Sequence, residues 1–185
     1  MEVRQLTQSI HYSGRELRPH WILEEFGIRG DCAVSFRGSC SVNTADLVDI
    51  EDSLDEAVIA ADDMLHFICE HFLHPSLALT IMRQRALAAI CTELITELSG
   101  VVPKRIGNDI FVEEDKLSVS IATVSPVSGL IHFGINVSRD GTPVPVACLD
   151  DMDIDPFEFS RVVLDRYRHE TMSLQRDLSK VRPRT

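Results

Sequence analysis

No apolar run in these 185 residues approaches the ~18 residues needed to cross a membrane. The opening Met1-Glu2-Val3-Arg4-Gln5 also lacks the apolar stretch of a secretory leader. The expectation is a cytoplasmic chain with no membrane partner. Glycine (9) and proline (8) are too sparse for a collagen-like or low-complexity chain. The five cysteines, Cys32, Cys40, Cys69, Cys91 and Cys148, are odd in number and form no C-x-x-C pair. That argues against a disulfide framework or zinc ribbon and fits reduced thiols. Positive charge is short as well: 18 Lys+Arg against 29 Asp+Glu gives −11. An acidic chain repels phosphate backbones, so no nucleic-acid partner is expected.

What is present is ordinary for a globular protein. Hydrophobic residues make up 44% and charged residues 25%, and no linker or repeat divides the chain. A single domain over residues 1–185 is expected. Mean hydropathy of +0.03 leaves room for a homodimer. The charge is uneven. Residues 161–185 carry seven basic and three acidic side chains, a net +4, so residues 1–160 carry −15. This basic helical C-terminal segment reads as a solvated helix face, or as a docking element for an acidic partner.

The pattern predicts a short strand at Ile10-His11-Tyr12 and a helix from Pro19 to Phe26 closed by Gly27. A strand follows over 31–37, then an acidic, half-ordered stretch over 52–61. Residues 62–72 read as a helix stopping before Pro75, and residues 77–98 as a second helix. In the latter, Leu79, Met82, Ala86, Leu87, Ile90, Leu94 and Leu98 recur at three and four. Residues 105–146 read as β structure. A last helix starts at Asp155-Pro156-Phe157-Glu158, a capping box with proline in the first turn. The fold class is α+β, a mixed or antiparallel sheet backed by helices.

The richest stretch is a hairpin joining 116–124 to 130–137. The odd positions Leu117, Val119, Ile121, Ile131, Phe133, Ile135 and Val137 are apolar, while the even positions Lys116, Ser118, Ser120, Ala122, His132, Gly134 and Asn136 are small or polar. Keeping each set on one side predicts pairing of Ala122 with His132, Ser120 with Gly134 and Ser118 with Asn136. The even face would be a shallow floor bordered by His132, Asn136 and Lys116. It has room for a ligand or for a closely packed loop or helix.

The stretch KRIGNDIFVEEDKLSVSIATVSPVSGLIHFGINV resembles the core of biotin and lipoate protein ligases. Those proteins carry a lysine, an Asn-Asp-hydrophobic strand, a tight turn, a second lysine and a Gly-hydrophobic-Asn strand end. The matching positions are Lys104, Asn108-Asp109-Ile110, Lys116 and Gly134-Ile135-Asn136. The segments RPHWI, DMLHFICEHF, RQRAL and SVSIATVSPVSGLIHFGIN also resemble the domain-of-unknown-function family 366. The implied fold is the catalytic core shared by these ligases and class II synthetases.

The implied chemistry is acyl transfer or carboxylate activation on a small molecule bearing a carboxylate or phosphate. Lys116 is the implied catalytic residue, a fixed ammonium facing oxygens that gain negative charge. Asn136 would position anionic groups, Arg37 would be an anion clamp or else a surface ion pair, Asp109 would support Lys116 or be a turn residue, and Asn108, Ser118, Ser120 and His132 would border the ligand. Two departures are plain. Val119 stands where the ligases have glycine, and the Gly-rich adenylate loop is reduced to Phe36-Arg37-Gly38-Ser39-Cys40. They favour the alternative of a binding or regulatory module that kept the pocket without the adenylation loop. The sequence names no cofactor.

Three other groupings complete the reading. Cys148 lies 32 residues after Lys116, in the region where lipoyl transferases place a nucleophilic cysteine; the other reading is an incidental buried thiol. On a helix, His66 and Glu70, with His71 and His74 nearby, would sit together. Their H-x-x-x-E-H spacing is not that of a zinc protease, so packing histidines are expected and no metal site. Arg18 and His20 lie beside the chain's one tryptophan, Trp21, which reads as a core residue or, with Arg18 or His20, as a wall for a flat or anionic ligand.

Overall fold

A computed structural model describes residues 1–55, 58–73, 75–182 and 184. The elements in chain order are β1 (Glu2–Gln5), α1 (Trp21–Phe26), β2 (Cys32–Val42), α2 (Ile50–Leu54) and β3 (Ile59–His71). There follow α3 (Leu77–Ser99), β4 (Lys104–Ile106), β5 (Asp109–Val112), β6 (Asp115–Lys116), β7 (Ser118–Val124), β8 (Gly129–Asn136) and α4 (Pro156–Lys180). The main sheet runs β1-β2-β3-β8-β7, and a small sheet runs β4-β5-β6. β1 pairs with β2 in parallel and the other pairs are antiparallel, so the sheet is mixed.

One face of the main sheet packs on α3 and α4. Ala33, Leu65, Phe67, Cys69, Ile131, Phe133 and Ile135 meet Leu87, Cys91, Leu94, Phe159, Val163 and Tyr167 there. The other face carries Val34, Phe36, Met64 and Ile68, covered by Tyr12, Trp21 and Ile28 from the N-terminal segment. All five cysteines are buried and free.

Several expectations meet the structure directly. α3 ends at Gly100 and α1 at Gly27, both glycines at positive φ. Asp155 caps α4 by accepting from the Glu158 N–H at 2.7 Å, with Pro156 in the first turn. α1 begins at Trp21, so Pro19 lies outside it, and His20 sits before it at φ 67°.

The predicted helix over 62–72 is instead part of β3, the central strand. From Met64 to His71 every side chain is buried, on both faces. A strand covered on both sides shows no alternation, and its apolar run reads like a buried helix. The expected His66–Glu70–His71 cluster dissolves as a result. His66 and Glu70 face the N-terminal segment and His71 faces the helices, while His74 lies outside the described residues. Among the described residues, no group of three or more His, Cys, Asp or Glu could hold a metal ion.

Buried Glu70 acts as an anchor. Its carboxylate accepts from the His20 N–H at 2.9 and 3.2 Å and from the Ser128 hydroxyl at 2.7 Å. Glu70→Ala strands both donors and is expected to cost about 2 kcal/mol in urea unfolding.

The hairpin register differs from expectation by one residue. Ser118 pairs with Ile135, Ser120 with Phe133, and Ala122 with Ile131. The turn hydrogen bond runs from Ser125 N–H to Ser128 O, so the loop is four residues long and the centre shifts. The small residues of β7 therefore face α3. Val119 and Ile121 share the other face with His132, Gly134 and Asn136. Small side chains on β7 make room for a helix, and the Ser120 hydroxyl meets Gln84 of α3 at 2.9 Å.

Candidate functional site

Lys116 ends β6 and stands at the edge of the face away from α3 and α4. Its ammonium meets Asp109 Oδ1 at 3.1 Å, with both side chains partly exposed. Its main chain is fixed on both sides. The Lys116 carbonyl accepts from Ala147 N–H at 3.2 Å and from Asn136 Nδ2 at 3.4 Å. Asn136 Nδ2 also donates to the Ala147 carbonyl at 3.2 Å. Asn136 thus holds the strand that presents Lys116.

Two cavities flank this lysine. The larger, of about 160 Å³, has apolar walls from Val42, Leu47, Val48, Ile59, Val119 and Ile121, with Lys116, Asp49, Asp52 and His132 among its polar groups. The smaller, of about 100 Å³, lies toward Asn136, Pro143 and Val146. Tyr12 roofs the larger cavity and stacks on His132, with ring centroids 3.6 Å apart and planes at 7°. His132 Nε2 lies 3.0 Å from His66 Nδ1, and His66 Nε2 lies 3.3 Å from the Gly38 carbonyl. Burial pushes both imidazoles down, His66 to about 4, so the pair is neutral near pH 7. Asp52 is held above its ordinary range by burial and then by the nearby Asp49 charge, while Lys116 pulls it down. A fixed ammonium beside apolar walls can pair with a carboxylate whose body enters the cavity.

Of the residues expected at the site, Lys116, Asp109, Asn136 and His132 come together. Asn108, Ser118 and Ser120 lie close by, yet their polar groups are already engaged. The Ser118 hydroxyl accepts from Ile110 N–H at 3.0 Å, and Ser120 accepts from Asn108 Nδ2 at 3.0 Å.

The structure separates the others. Arg37 pairs with Leu65 in the sheet and so points to the opposite face, where its Nε meets Asp63 Oδ1 at 2.7 Å. Arg18 meets Glu24 at 2.5 Å on the surface. His20 sits by Glu70, six residues along β3 from the Met64–Asn136 row, or about 20 Å at strand rise. Trp21 is buried against Phe26 and Phe36.

Cys148 is buried. Burial raises its pKa, and its thiol neighbours Asp151 and Arg139, so it lacks the exposed thiolate of a nucleophile. Asp49, Asp52 and Tyr12 are the additions. Asp49 accepts from Glu51 N–H at 2.9 Å at the start of α2, so the Asp-x-Glu-Asp pattern was a usable cap signal.

Phe36-Arg37-Gly38-Ser39-Cys40, expected as a reduced loop, lies within β2, and Gly38 has a packing role there. A Cβ on it would lie 2.0 Å from the Ile10 carbonyl oxygen. The space over Gly38 is filled by the chain's own N-terminal segment.

Residues 1–182 match the family model described as "Domain of unknown function (DUF366)". A solved protein of unknown function from Pyrococcus horikoshi shares 41% identity, with a TM-score of 0.93 over 99% of this chain and 100% of that one. The Aquifex aeolicus biotin protein ligase, solved in complex with biotin and ATP, aligns at 15% identity. Its TM-score is 0.61, covering 90% of this chain and 69% of the ligase. The bipartite lipoate protein ligase from Thermoplasma acidophilum aligns at 15% identity and TM-score 0.59, over 93% and 83% of the two chains. The fold is that of the biotin and lipoate ligases. Among the described residues, no helix is long and apolar enough to cross a membrane.

Proposed function

The chain belongs to the DUF366 family, and we propose that it binds a small carboxylic acid with a short apolar body beside Lys116 and acts in acyl transfer or carboxylate activation. One observation carries this reading: the Lys116 ammonium borders the apolar cavity of about 160 Å³. The carboxylate pairs with the ammonium and the apolar body lies against Val119, Ile121 and Ile59. Asp109 orients Lys116. In transfer or activation, the ammonium stabilises charge developing on the carboxyl oxygens. The fold supports the class of ligand, since a neighbour of the same fold is solved with biotin and ATP.

A second reading has an observation of its own. The stretch expected as the adenylate loop lies within β2, and the space over Gly38 is filled by Ile10. This favours a ligand-binding module that works without adenylation.

A thermal-shift panel tests the binding, with biotin, lipoate, octanoate, shorter fatty acids and ATP with Mg²⁺ on wild type and Lys116→Ala. At 100 times its dissociation constant a ligand adds about 2.7 kcal/mol, which for this size raises Tm by roughly 5–10 °C. The shift is expected with a carboxylate ligand and absent in Lys116→Ala. A shift of equal size in the variant would remove Lys116 from the site. Pyrophosphate release with ATP, or an acyl-transfer product, separates the enzyme from the binding module.

A further inference from the structure

A cavity of about 520 Å³, larger than both cavities beside Lys116, lies between the helix side of the sheet and the first turn of α4. The register decides which side chains reach it. Gln5 pairs with Ser35, Ser35 with Phe67 and Arg37 with Leu65. Leu65 and Phe67 belong to the core under α3 and α4, so Gln5, Ser35 and Arg37 share that side. The outer rim is a bulge in the sheet edge. Leu6 N–H reaches the Ser35 carbonyl and Ile10 N–H the Arg37 carbonyl, so four steps of the N-terminal segment span two of β2. Thr7, Gln8 and Ser9 are pushed outward and wall the cavity there.

Ser35 is the residue that points to a ligand. It lines the cavity, is 0% exposed, and its hydroxyl has no hydrogen-bond partner among the described residues. A buried hydroxyl without a partner has lost its hydration and gained nothing in exchange. Further open positions stand around it. Gln5 Nε2 donates to the Phe157 carbonyl at 2.6 Å and to Ser160 Oγ at 2.5 Å, which fixes the amide and leaves its oxygen to accept. Arg37 Nε meets Asp63 Oδ1 at 2.7 Å, and one terminal nitrogen meets Asp63 Oδ2. The other terminal nitrogen can still donate, and the carboxylate can still accept.

The charges are already engaged. Asp63 holds Arg37, Asp155 caps α4, and Asp62 Oδ1 lies where a Cβ on Gly141 would meet it at 2.3 Å. An anionic ligand would face these three acids across one paired guanidinium. What stays open mixes donors with acceptors and adds no net positive charge. Phe157, 49% exposed, supplies an aromatic wall.

We propose that this cavity binds a neutral polyhydroxylated ring, as a free sugar or as the ribose of a nucleoside. Each ring hydroxyl both donates and accepts, which matches donors and acceptors placed side by side. One hydroxyl pairs with Ser35, others with the Gln5 side-chain oxygen and the Arg37–Asp63 pair, and the C–H face lies on Phe157. The volume is ample for one such ring. The carboxylate reading is independent of this site, because the cavity shares no wall residue with those beside Lys116.

Amide NMR spectra of the full, isotope-labelled chain test the inference. The probes are ribose, glucose, adenosine and uridine, with adenine, uracil and dideoxyadenosine as controls that lack the diol. Signals from residues 5–9, 35–39 and 157–160 are expected to move, while those of Val119, Ile121 and His132 stay. Movement with the free sugars alone identifies a sugar as the source, and movement with the nucleosides alone identifies a ribose; both support the proposal. Ser35→Ala is expected to weaken binding roughly fivefold, the loss of one hydrogen bond. Its urea stability should equal or exceed that of wild type, since an unpartnered hydroxyl leaves the interior. Arg37→Ala, at a half-exposed side chain, should weaken binding at least as much, and Lys116→Ala should not alter it. No movement with any of the four probes overturns the inference. So does a response to adenine, uracil or dideoxyadenosine as strong as that to the nucleosides, or binding that Ser35→Ala and Arg37→Ala leave at full strength.

Discussion

Acidification from pH 7 to pH 5 is expected to cost the fold about 2 kcal/mol through His66 alone. Burial lowers the His66 pKa to about 4, with the Gly38 carbonyl opposing. In the unfolded chain the imidazole takes a proton below about pH 6.5. Between those values the unfolded state binds the proton and the folded state does not, so stability falls with pH across that window. Below pH 4 both forms are protonated and the loss levels off. His132 and His71 add in the same direction, each lowered first by burial. The raised Asp52 carboxyl opposes them at the acid end of the window. Urea midpoints at pH 7, 6 and 5 should fall steadily. His66→Gln should flatten the slope. A midpoint constant over that range would show that the buried pair is not neutral in the folded protein.

Gly38→Ala is expected to destabilise the protein by about 4 kcal/mol, the sum of overpacking and lost backbone hydrogen bonds. The new Cβ would sit 2.0 Å from the Ile10 carbonyl oxygen, 2.7 Å from its carbon and 3.1 Å from its nitrogen. These are backbone atoms, so no rotamer change relieves the collision. The segment is also tied to β2 by Ile10 N–H to Arg37 O at 3.1 Å, Tyr12 N–H to Ser39 O at 2.9 Å and Ser41 N–H to Tyr12 O at 3.0 Å. Relief means peeling it away, and Tyr12 with it. Chemical denaturation measures the loss, and amide exchange should quicken first at Leu6 to Ser41 contacts. A variant within 1 kcal/mol of wild type would mean the segment moves aside freely.

Where one side of an element is wet, its pattern was readable. α3 and α4, each with a wet side, announced themselves through their spacing and caps; β2, buried on both faces from Cys32 to Phe36, was read from its β-branched and aromatic members. The ligase-like Lys116, Asp109 and Asn136 lay in one short stretch, and the structure gathers them. β3 was misread because neither of its faces is wet, and His66 and Glu70 happen to fall four apart. The register failed for a related reason. Serine and alanine on β7 looked like a polar floor, whereas their size serves α3 and their hydroxyls are satisfied internally. Arg37 was assigned to the site without knowing which way its strand alternates, and one residue of phase sent it to the opposite face. The roofing of the site by Tyr12 depends on a contact between distant segments that no local pattern records.

The central position of β3 also bears on how the chain is made. β2 precedes it and can pair with it at once, but its other partner, β8, begins at Gly129, well after β3 ends at His71. Until the ribosome has delivered α3 and the small sheet, one edge of this apolar strand stays open. Gln5 waits longer still, for Phe157 and Ser160, its hydrogen-bond partners 152 and 155 residues away. Such long-range closure slows folding and prolongs the exposure of unpaired edges. Nascent chains stalled before β8 should therefore be the ones that chaperones hold, and chains released after α4 the first able to fold unaided.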